Sequence, residues 1–401
     1  MSFKDRRLLI GITGGIAAYK AVNLVRALRK EGAKLCLVLT QGAEAFITPL
    51  QVESLAGVKV FTQEDFLKPQ GGSILHTSLG QFAELVIVAP ATASFLSSLR
   101  TGDASSLLVA SIMASEAPVL LCPAMNEKMW RHPATQENVR ILRDWGYEVL
   151  APEEGSLACG DVGPGRLPAE EIILAWARRL LSPQDLRGLK VLITCGPTRE
   201  PIDLVRYLSN RSSGRMGLAL ACAAFERGAE VLLIHGPLSI PIPPLFERIA
   251  VETTEEMRAA VLKHLQEYDV LIMAAAVADF TPKLKRKGKL KKEDGLILEL
   301  VRTPDILTEA AQYKRPGQII VGFAAEEEEL LKQEAERKLK AKKIDLIVAN
   351  PIDKPGAGFE TETNEVLILT AKGEAIKLGP APKKDIAHQI LNQVVSFRGL
   401  S

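Results

Sequence analysis

An amide stands where an apolar strand ought to end in a plain turn. Residues 118–121 read as a buried parallel strand, and Cys122, Pro123, Ala124, Met125, Asn126, Glu127, Lys128, Met129 and Trp130 follow it directly. The C-terminal edge of a parallel sheet is where α/β proteins bind ligands, so an amide, a thioether and an indole placed there open into a site. A packed core has no use for the Asn126 amide, because burying it without a partner is costly. Near the start, Gly11, Ile12, Thr13, Gly14, Gly15 and Ile16 join a strand to a helix through glycines. That geometry can hold a phosphate on unpaired helix amides. The turn lacks the G-x-G-x-x-G spacing, and the second strand closes in Thr40, Gln41 and Gly42 instead of the acidic residue that binds an adenosine ribose. NAD is therefore disfavoured. Hydroxyls and amides at Thr13, Gly15 and Thr40 suit the phosphate of flavin mononucleotide (FMN), while an ordinary structural turn is as compatible with this segment alone.

Two single residues carry rival readings. His76 follows a Gly-Gly-Ser-Ile-Leu stretch, and a lone loop histidine is usually a solvated surface residue. Cys159 is ambiguous in the same way, since an unpaired cysteine is most often a small buried apolar group. Its neighbours Gly155, Gly160, Gly163, Pro164 and Gly165 favour instead a loop that can close over a ligand.

Positioning such residues requires a scaffold, and the chain supplies the same kind twice. In the first half, strand-like runs at 8–13, 35–40, 85–89, 118–122 and 148–151 alternate with helical patterns such as 16–30 and 170–181, which predicts a doubly wound α/β sheet. The segment 182–188 is polar, broken by Pro183 and closed by Gly188, so the domain boundary falls there. The expected domains are 1–181 and 189–401. The second half starts again with strands at 190–195, 230–235, 270–275, 318–323, 346–349 and 366–370 and a helix at 216–227. Each half opens with a strand, a glycine-bearing turn and a helix, so two nucleotide-type sites are expected.

Composition sets the outer limits. With 401 residues, 47% hydrophobic and 24% charged, each half is long enough to bury its own core. A net charge of +2 gives no global reason to expect nucleic acid or an anionic membrane. No apolar run approaches the ~18 residues of a membrane span, and the opening residues lack a signal-peptide cleavage pattern, so a cytoplasmic protein is expected. Cysteines at 36, 122, 159, 195 and 222 form an odd set without C-x-x-C, which argues for reduced thiols rather than a disulfide framework or a zinc site.

Several long motifs, taken together, then become specific. TGGIAAYK (13–20), HTSLG (76–80), VIVAPATAS (86–94), PAMNEKMW (123–130) and LACGDVGPGRL (157–167) resemble the flavin-dependent phosphopantothenoylcysteine decarboxylases of coenzyme A biosynthesis. The resemblance implies a flavodoxin-like, Rossmann-type flavoprotein domain. Decarboxylating a cysteinyl group needs an electron sink; in this family the flavin oxidises the side chain to a thioaldehyde, so that the carboxylate lies beta to C=S. Carried over by motif, FMN is bound by Thr13, Gly14, Gly15, Ile16, Thr40, Ala124 and, at the isoalloxazine ring, Thr92, Ala93 and Ser94. Met125 and Asn126 hold the substrate, His76 serves oxidation or decarboxylation, and Cys159 returns a proton. Ser94 stands where asparagine is common, and Ala104-Ser105-Ser106 where an acidic pair often follows alanine.

The motifs ITCGPTREPIDLVRYLSNRSSGRMG (193–217), AAAVADF (274–280), TPDIL (303–307), VGFAAE (321–326) and DLIVAN (345–350) are similar to phosphopantothenate–cysteine ligase, whose Rossmann-like domain activates the acid with CTP as an acyl-cytidylate. The basic run 283–292 would neutralise the triphosphate with flexible ammonium groups. A solvated charge run is the plainer reading, and sparse aromatics weaken a single-strand nucleic-acid reading. The resemblance implies Lys289 as the catalytic lysine and Asn210 as a contact to the acyl-cytidylate. Ser212, Ser213 and Gly214 then take the phosphate of 4′-phosphopantothenate. Ala274, Ala275, Ala276, Asp279, Pro304, Asp305, Ile306, Leu307, Phe323, Lys338 and Lys342 line the nucleotide and substrate. Asp279 meets a substrate donor or, through water, magnesium held mainly by the nucleotide phosphates. Lys338 and Lys342 sit on one face of a helix expected to start at Glu326. Pro197 stands where glycine is usual and removes an amide donor; Arg215 stands where lysine is frequent.

The expectation is thus a bifunctional enzyme using 4′-phosphopantothenate, cysteine and CTP with Mg2+, then FMN, with no nucleic-acid or membrane partner and with homo-oligomeric contacts through both domains. Two alternatives remain at this point: a flavin decarboxylase whose second domain only binds nucleotide, and a non-catalytic phosphatase-regulating relative of the halotolerance type.

Overall fold

The computed structural model describes residues 2–68, 72–156, 160–284, 288–289, 297–353 and 361–399. They form two compact units, Met1–Ser182 and Pro183–Ser401.

The first unit is built on strands β1 (Arg7–Ile12), β2 (Lys34–Leu39), β3 (Val60–Phe61), β4 (Leu85–Ala91), β5 (Val119–Pro123) and β6 (Glu148–Val149), which pair in parallel in the order β3-β2-β1-β4-β5-β6. Parallel strands are covered on both faces, which explains why β1 is apolar at successive positions. Leu8, Ile10 and Ile12 pack into one core cluster and Leu9 into the other. Gly11 is a close-approach position, since a Cβ there would lie 2.6 Å from the Leu108 side chain. The helix Ala18–Lys30 buries Ala18, Ala21, Val22, Leu24, Val25 and Leu28 against this sheet and ends on the basic pair Arg29 and Lys30, favourable at a helix C-terminus. An antiparallel hairpin, β7 (Glu153–Ser156) with β8 (Val162–Arg166), follows β6.

The second unit contains β9 (Lys190–Cys195), β10 (Arg199–Pro201), β11 (Tyr207–Ser209), β12 (Glu230–His235), β13 (Glu247–Ala250), β14 (Val270–Met273), β15 (Phe280–Pro282), β16 (Leu300–Arg302), β17 (Ile319–Glu326), β18 (Leu346–Pro351), β19 (Thr363–Thr370) and β20 (Ala375–Pro382). Its main sheet has the order β13-β12-β9-β14-β17-β18-β19-β20, parallel as far as β18 and antiparallel from there. In each unit the chain winds outward from its first strand in one direction and then in the other. The strand order therefore reverses between β1 and β4, and again between β9 and β14, leaving a crevice at the C-terminal strand ends.

The fold class matches the expectation. The acidic run 326–329 does not begin a helix: Glu326 is the last residue of β17, paired with Pro351 of β18, and the helix spans Leu331–Lys342. The ladder continues because β18 offers partners that far, and that outweighs the helix preference of glutamate. No described helix is long and apolar enough to cross a membrane.

Candidate active sites

A cavity of about 1060 Å³ opens at the β1/β4 switch point. Thr13, Gly14, Gly15, Ile16, Thr40, Thr92, Ala93, Ser94, Ala124, Met125 and Asn126 all line it. The turn after β1 is locked from below. Thr13 is buried, donates its hydroxyl proton to the Pro90 carbonyl at 2.7 Å and accepts the Thr92 amide at 3.0 Å. Its single proton is spent on structure, so Thr13 shapes the turn instead of offering a donor. A Cβ at Gly14 would lie 2.5 Å from the Gly42 carbonyl, whereas one at Gly15 would meet nothing nearer than Thr92 Cγ2 at 3.7 Å. The first glycine is needed for backbone approach and the second leaves space. The helix that follows has Ala17 at its N-cap, no side-chain cap and no acidic residue in its first turn. Thr92 caps the helix Ala93–Thr101 by accepting the Phe95 amide at 3.3 Å.

Asn126 has a structural duty that the sequence did not disclose. It is the N-cap of the short helix Glu127–Arg131, its Oδ1 accepting the Lys128 amide at 2.9 Å, and its Nδ2 lies 3.5 Å from Asp161. The β7–β8 hairpin flanks this corner: Met125 donates its amide to Gly165 at 2.9 Å, and a Cβ at Gly163 would collide with the Glu127 carboxylate. Ser156, Gly165 and Arg166 of the hairpin reach the cavity, whereas Cys159 lies outside the described residues. Burial drives the Cys122 thiol far above its ordinary pKa, so this thiol at the strand end stays protonated and inert. His76, in the helix Leu75–Phe82, packs edge-on to Phe66 at 5.5 Å and is not among the residues lining the cavity. Gln63, unassigned by sequence, lines the cavity and clamps the 105–107 loop, donating to the Ser105 carbonyl at 2.8 Å and accepting the Leu107 amide at 2.9 Å. Ser105, one of the departures, spends its hydroxyl on Asp103 at 2.6 Å.

A second cavity of about 860 Å³ lies along β14, β17 and β18, with Met273, Phe323 and Asn350 in its lining. Asn210, Ser212, Gly214, Ala274, Ala275, Ala276, Asp279, Pro304, Asp305, Ile306, Leu307, Phe323, Lys338 and Lys342 line it. Ser213 and Lys289 do not, and residues 285–287 and 290–292 of the basic run lie outside the described residues. The 274–279 backbone is held by side chains beneath it. Ala275 donates to Thr194 at 3.2 Å, Ala278 donates to Thr198 at 2.9 Å, and the Ala278 carbonyl accepts from Thr303 at 2.6 Å. Asn210 donates to the Val277 carbonyl at 2.8 Å, tying its loop to this floor. Pro197 costs nothing here. It bridges to Ala276 through its neighbours, Ala276 N to Gly196 O at 2.9 Å and Thr198 N to Ala276 O at 3.4 Å, so an amide at 197 is not required.

Charge is concentrated in this cavity. Arg211, Arg215, Arg302, Lys338, Lys342 and Lys383 line it against Asp279 and Asp305. Lys342 pairs with Asp305 at 2.9 Å and Lys338 with Glu326. Burial opposes ionisation of Asp305, but Lys342 and the amide and hydroxyl of Thr308 outweigh it and hold the carboxyl below its usual range. Burial pushes the Cys195 thiol up to about 12, so it is no nucleophile. Among the described residues no group of three or more His, Cys, Asp or Glu could hold a metal ion. Asn350, Asn364 and Lys383 were missed by sequence reading. Asn350 repeats the strand-end asparagine signal of Asn126, but nothing marked Lys383.

Residues 2–181 match the family model described as Flavoprotein, and residues 186–397 match the DNA/pantothenate metabolism flavoprotein C-terminal domain. The Escherichia coli (strain K12) "Coenzyme A biosynthesis bifunctional protein CoaBC" is 40% identical over 98% of this chain and 97% of its own. The Bacillus subtilis (strain 168) protein of the same name is 43% identical over 98% of this chain and 97% of its own. The crystal structure of a C-terminal domain of such a CoaBC protein is 38% identical, covering 54% of this chain and 100% of that one with a TM-score of 0.47.

Proposed function

The chain belongs to the family of bifunctional coenzyme A biosynthesis proteins, a flavoprotein unit followed by a pantothenate-metabolism unit, and on that premise we propose which cavity performs which step. It is an enzyme with decarboxylase and ligase activities. We assign residues 1–181 to decarboxylation of 4′-phosphopantothenoylcysteine, 182–188 to a linker, and 189–401 to ligation of 4′-phosphopantothenate with cysteine. The observation that carries the assignment is the contrast between the cavities: the first joins small and apolar walls to an uncapped helix N-terminus, the second gathers Arg211, Arg215, Arg302, Lys338, Lys342 and Lys383 against Asp279 and Asp305.

The first cavity fits FMN on its own residues. The space above Gly15 and the N-terminus of the helix Ala18–Lys30, which carries no side-chain cap, suit one phosphate, and Ile16, Ala93, Ser94 and Met129 suit a flat ring. FMN, when bound, supplies the electron sink that the amino acids lack. Asn126 orients the substrate carboxylate while its Oδ1 keeps the helix cap, and Cys159 delivers the proton that completes the product thiol. The hairpin excludes water. His76 lies off the lining of its own cavity, so a second copy of the chain supplies it, in a homo-oligomer.

In the second cavity CTP carries Mg2+ on its phosphates. Lys338 and Lys342 turn from their carboxylate partners to the nucleotide; partly exposed pairs are worth only about 0–1 kcal/mol, so displacing them is easy. Asn210 and the pinned backbone at 274–276 hold the acyl group, and Lys289 closes over the leaving pyrophosphate. Supplying 4′-phosphopantothenate, cysteine, CTP and magnesium should yield pyrophosphate and 4′-phosphopantothenoylcysteine, or the 4′-phosphopantetheine made from it. A chain that forms neither from these four components lacks the ligase activity.

A further inference from the structure

One wall of the first cavity is built from residues outside the ring and phosphate contacts. Ser105, Ser106 and Val109 line it, and they belong to the loop and first turn of the helix Leu107–Met113. That loop does not close on its own side chains. Ser106 stands at the N-cap without a side-chain cap, and the Ser105 hydroxyl goes to Asp103 at 2.6 Å. The Leu107 amide and the Ser105 carbonyl therefore need partners from elsewhere.

Gln63 meets both. Its Oε1 accepts the Leu107 amide at 2.9 Å and its Nε2 donates to the Ser105 carbonyl at 2.8 Å. Only one orientation of the carboxamide works, because turned over it would set Nε2 against an amide and Oε1 against a carbonyl. The turn that carries Gln63 is itself locked. Thr62 and Asp65 form a capping box around the single 3₁₀ turn Gln63–Asp65, with the Thr62 amide 2.9 Å from the Asp65 carboxylate. The next residue, Phe66, packs edge-on to His76 in the helix Leu75–Phe82. That helix lies so close on the helix Leu107–Met113 that a Cβ at Gly80 would stand 2.8 Å from the Ser111 carbonyl oxygen. Turn, helix and loop thus brace one another, and Gln63 is the member of the turn that lines the cavity.

We propose that Gln63 is a positioning residue for the flavin: its carboxamide holds residues 105–107 as a wall that is in place before the cofactor arrives. The inference rests on the FMN reading of this cavity and adds a residue that no motif marked. A loop that must be ordered on binding subtracts that ordering from the affinity, whereas a wall already fixed does not. The role uses a donor and an acceptor on one side chain. A replacement that keeps only the acceptor should therefore fail or succeed according to its protonation.

The test is FMN binding to the full, flavin-free chain, followed by quenching of flavin fluorescence between about pH 5 and about pH 8, for wild type, Gln63→Met and Gln63→Glu. Gln63→Met keeps the length and loses both hydrogen bonds, so it should weaken FMN roughly tenfold relative to wild type at every pH. Gln63→Glu keeps the acceptor, but when ionised it sets an oxygen against the Ser105 carbonyl, and at the alkaline end it should bind FMN as poorly as Gln63→Met. Partial burial and that carbonyl raise the introduced carboxyl above its ordinary value of about 4.3. As the pH falls it takes up a proton, regains the donor and should approach wild-type affinity. Taking the ratio to wild type at each pH removes the titration of the FMN phosphate itself. Unchanged FMN affinity in both variants, or equal weakening by both at every pH, would overturn the proposal, the latter because it would show that the hydrogen bonds are not what matters. If Gln63→Met does not fold, the pH course of Gln63→Glu decides alone. A wild-type chain that takes up no FMN refutes the flavin reading itself.

Discussion

At the scale of single residues, Asn126 and Gly14 show how one position can serve structure and chemistry at once. Because Asn126 caps a helix, replacing it by alanine confounds two losses; aspartate is an equally good cap. Asn126→Asp should therefore keep the thermal midpoint of the first unit while lowering decarboxylation by at least about a hundredfold, since a carboxylate now faces the substrate carboxylate. Carbon dioxide release alongside a melting curve checks this, and intact release would remove the amide from the mechanism. Gly14→Ala should destabilise the first unit by about 1–3 kcal/mol, its Cβ pressing on the Gly42 backbone. Gly15→Ala should fold and lose bound flavin, seen as loss of yellow colour. Sequence alone separated these residues only in part. A strand-end amide and a glycine turn are visible as patterns, but which glycine meets backbone and which meets open space depends on a strand many residues away. From sequence the Thr13 hydroxyl suits a phosphate for the same reason: its partner, Pro90, is a neighbour only in the folded sheet.

At the scale of elements, the long buried strands were legible because burial on both faces writes a continuous apolar run. Residues 190–195 and 230–235 coincide with β9 and β12. The short or edge strands were not. β3 has only two residues, and β20 alternates exposed and half-buried positions with two prolines, so neither carries a strong periodic signal. That blind spot hid the final helix and with it Lys383. One junction in this unit makes a sharp stability test. Asp269 accepts the Lys190 amide at 3.0 Å and Arg315 at 2.8 Å, joining the starts of β9 and β14. Burial alone would raise its pKa, but those hydrogen bonds and the nearby Arg398 lower it below its usual value. A depressed carboxylate stabilises the fold fully above its unfolded pKa of about 3.9 and loses that contribution as pH falls through the lower folded value. Asp269→Asn should cost roughly 2 kcal/mol near neutral pH, and the gap from wild type should shrink below about pH 4; urea unfolding at both pH values measures it. A gap independent of pH would show that the charge is not what matters.

At the scale of the whole molecule, two sheets wound in the same order each place a crevice at their switch point, and the family joins two consecutive reactions to them. Oligomeric sharing is the claim that only a mixture of chains can reveal. Asn126→Asp and His76→Ala variants, each inactive in decarboxylation alone, should regain activity when refolded together, because mixed assemblies contain cavities with one intact Asn126 and a neighbour's intact His76. A mixture as inactive as its parts would return His76 to its own chain. The most direct measurement of the division of labour is a mass-spectrometric product assay with 4′-phosphopantothenate, cysteine, CTP and magnesium. Wild type should accumulate 4′-phosphopantetheine, and Asn126→Asp should stop at 4′-phosphopantothenoylcysteine with undiminished pyrophosphate release; full conversion by that variant, or loss of both products, would contradict the account.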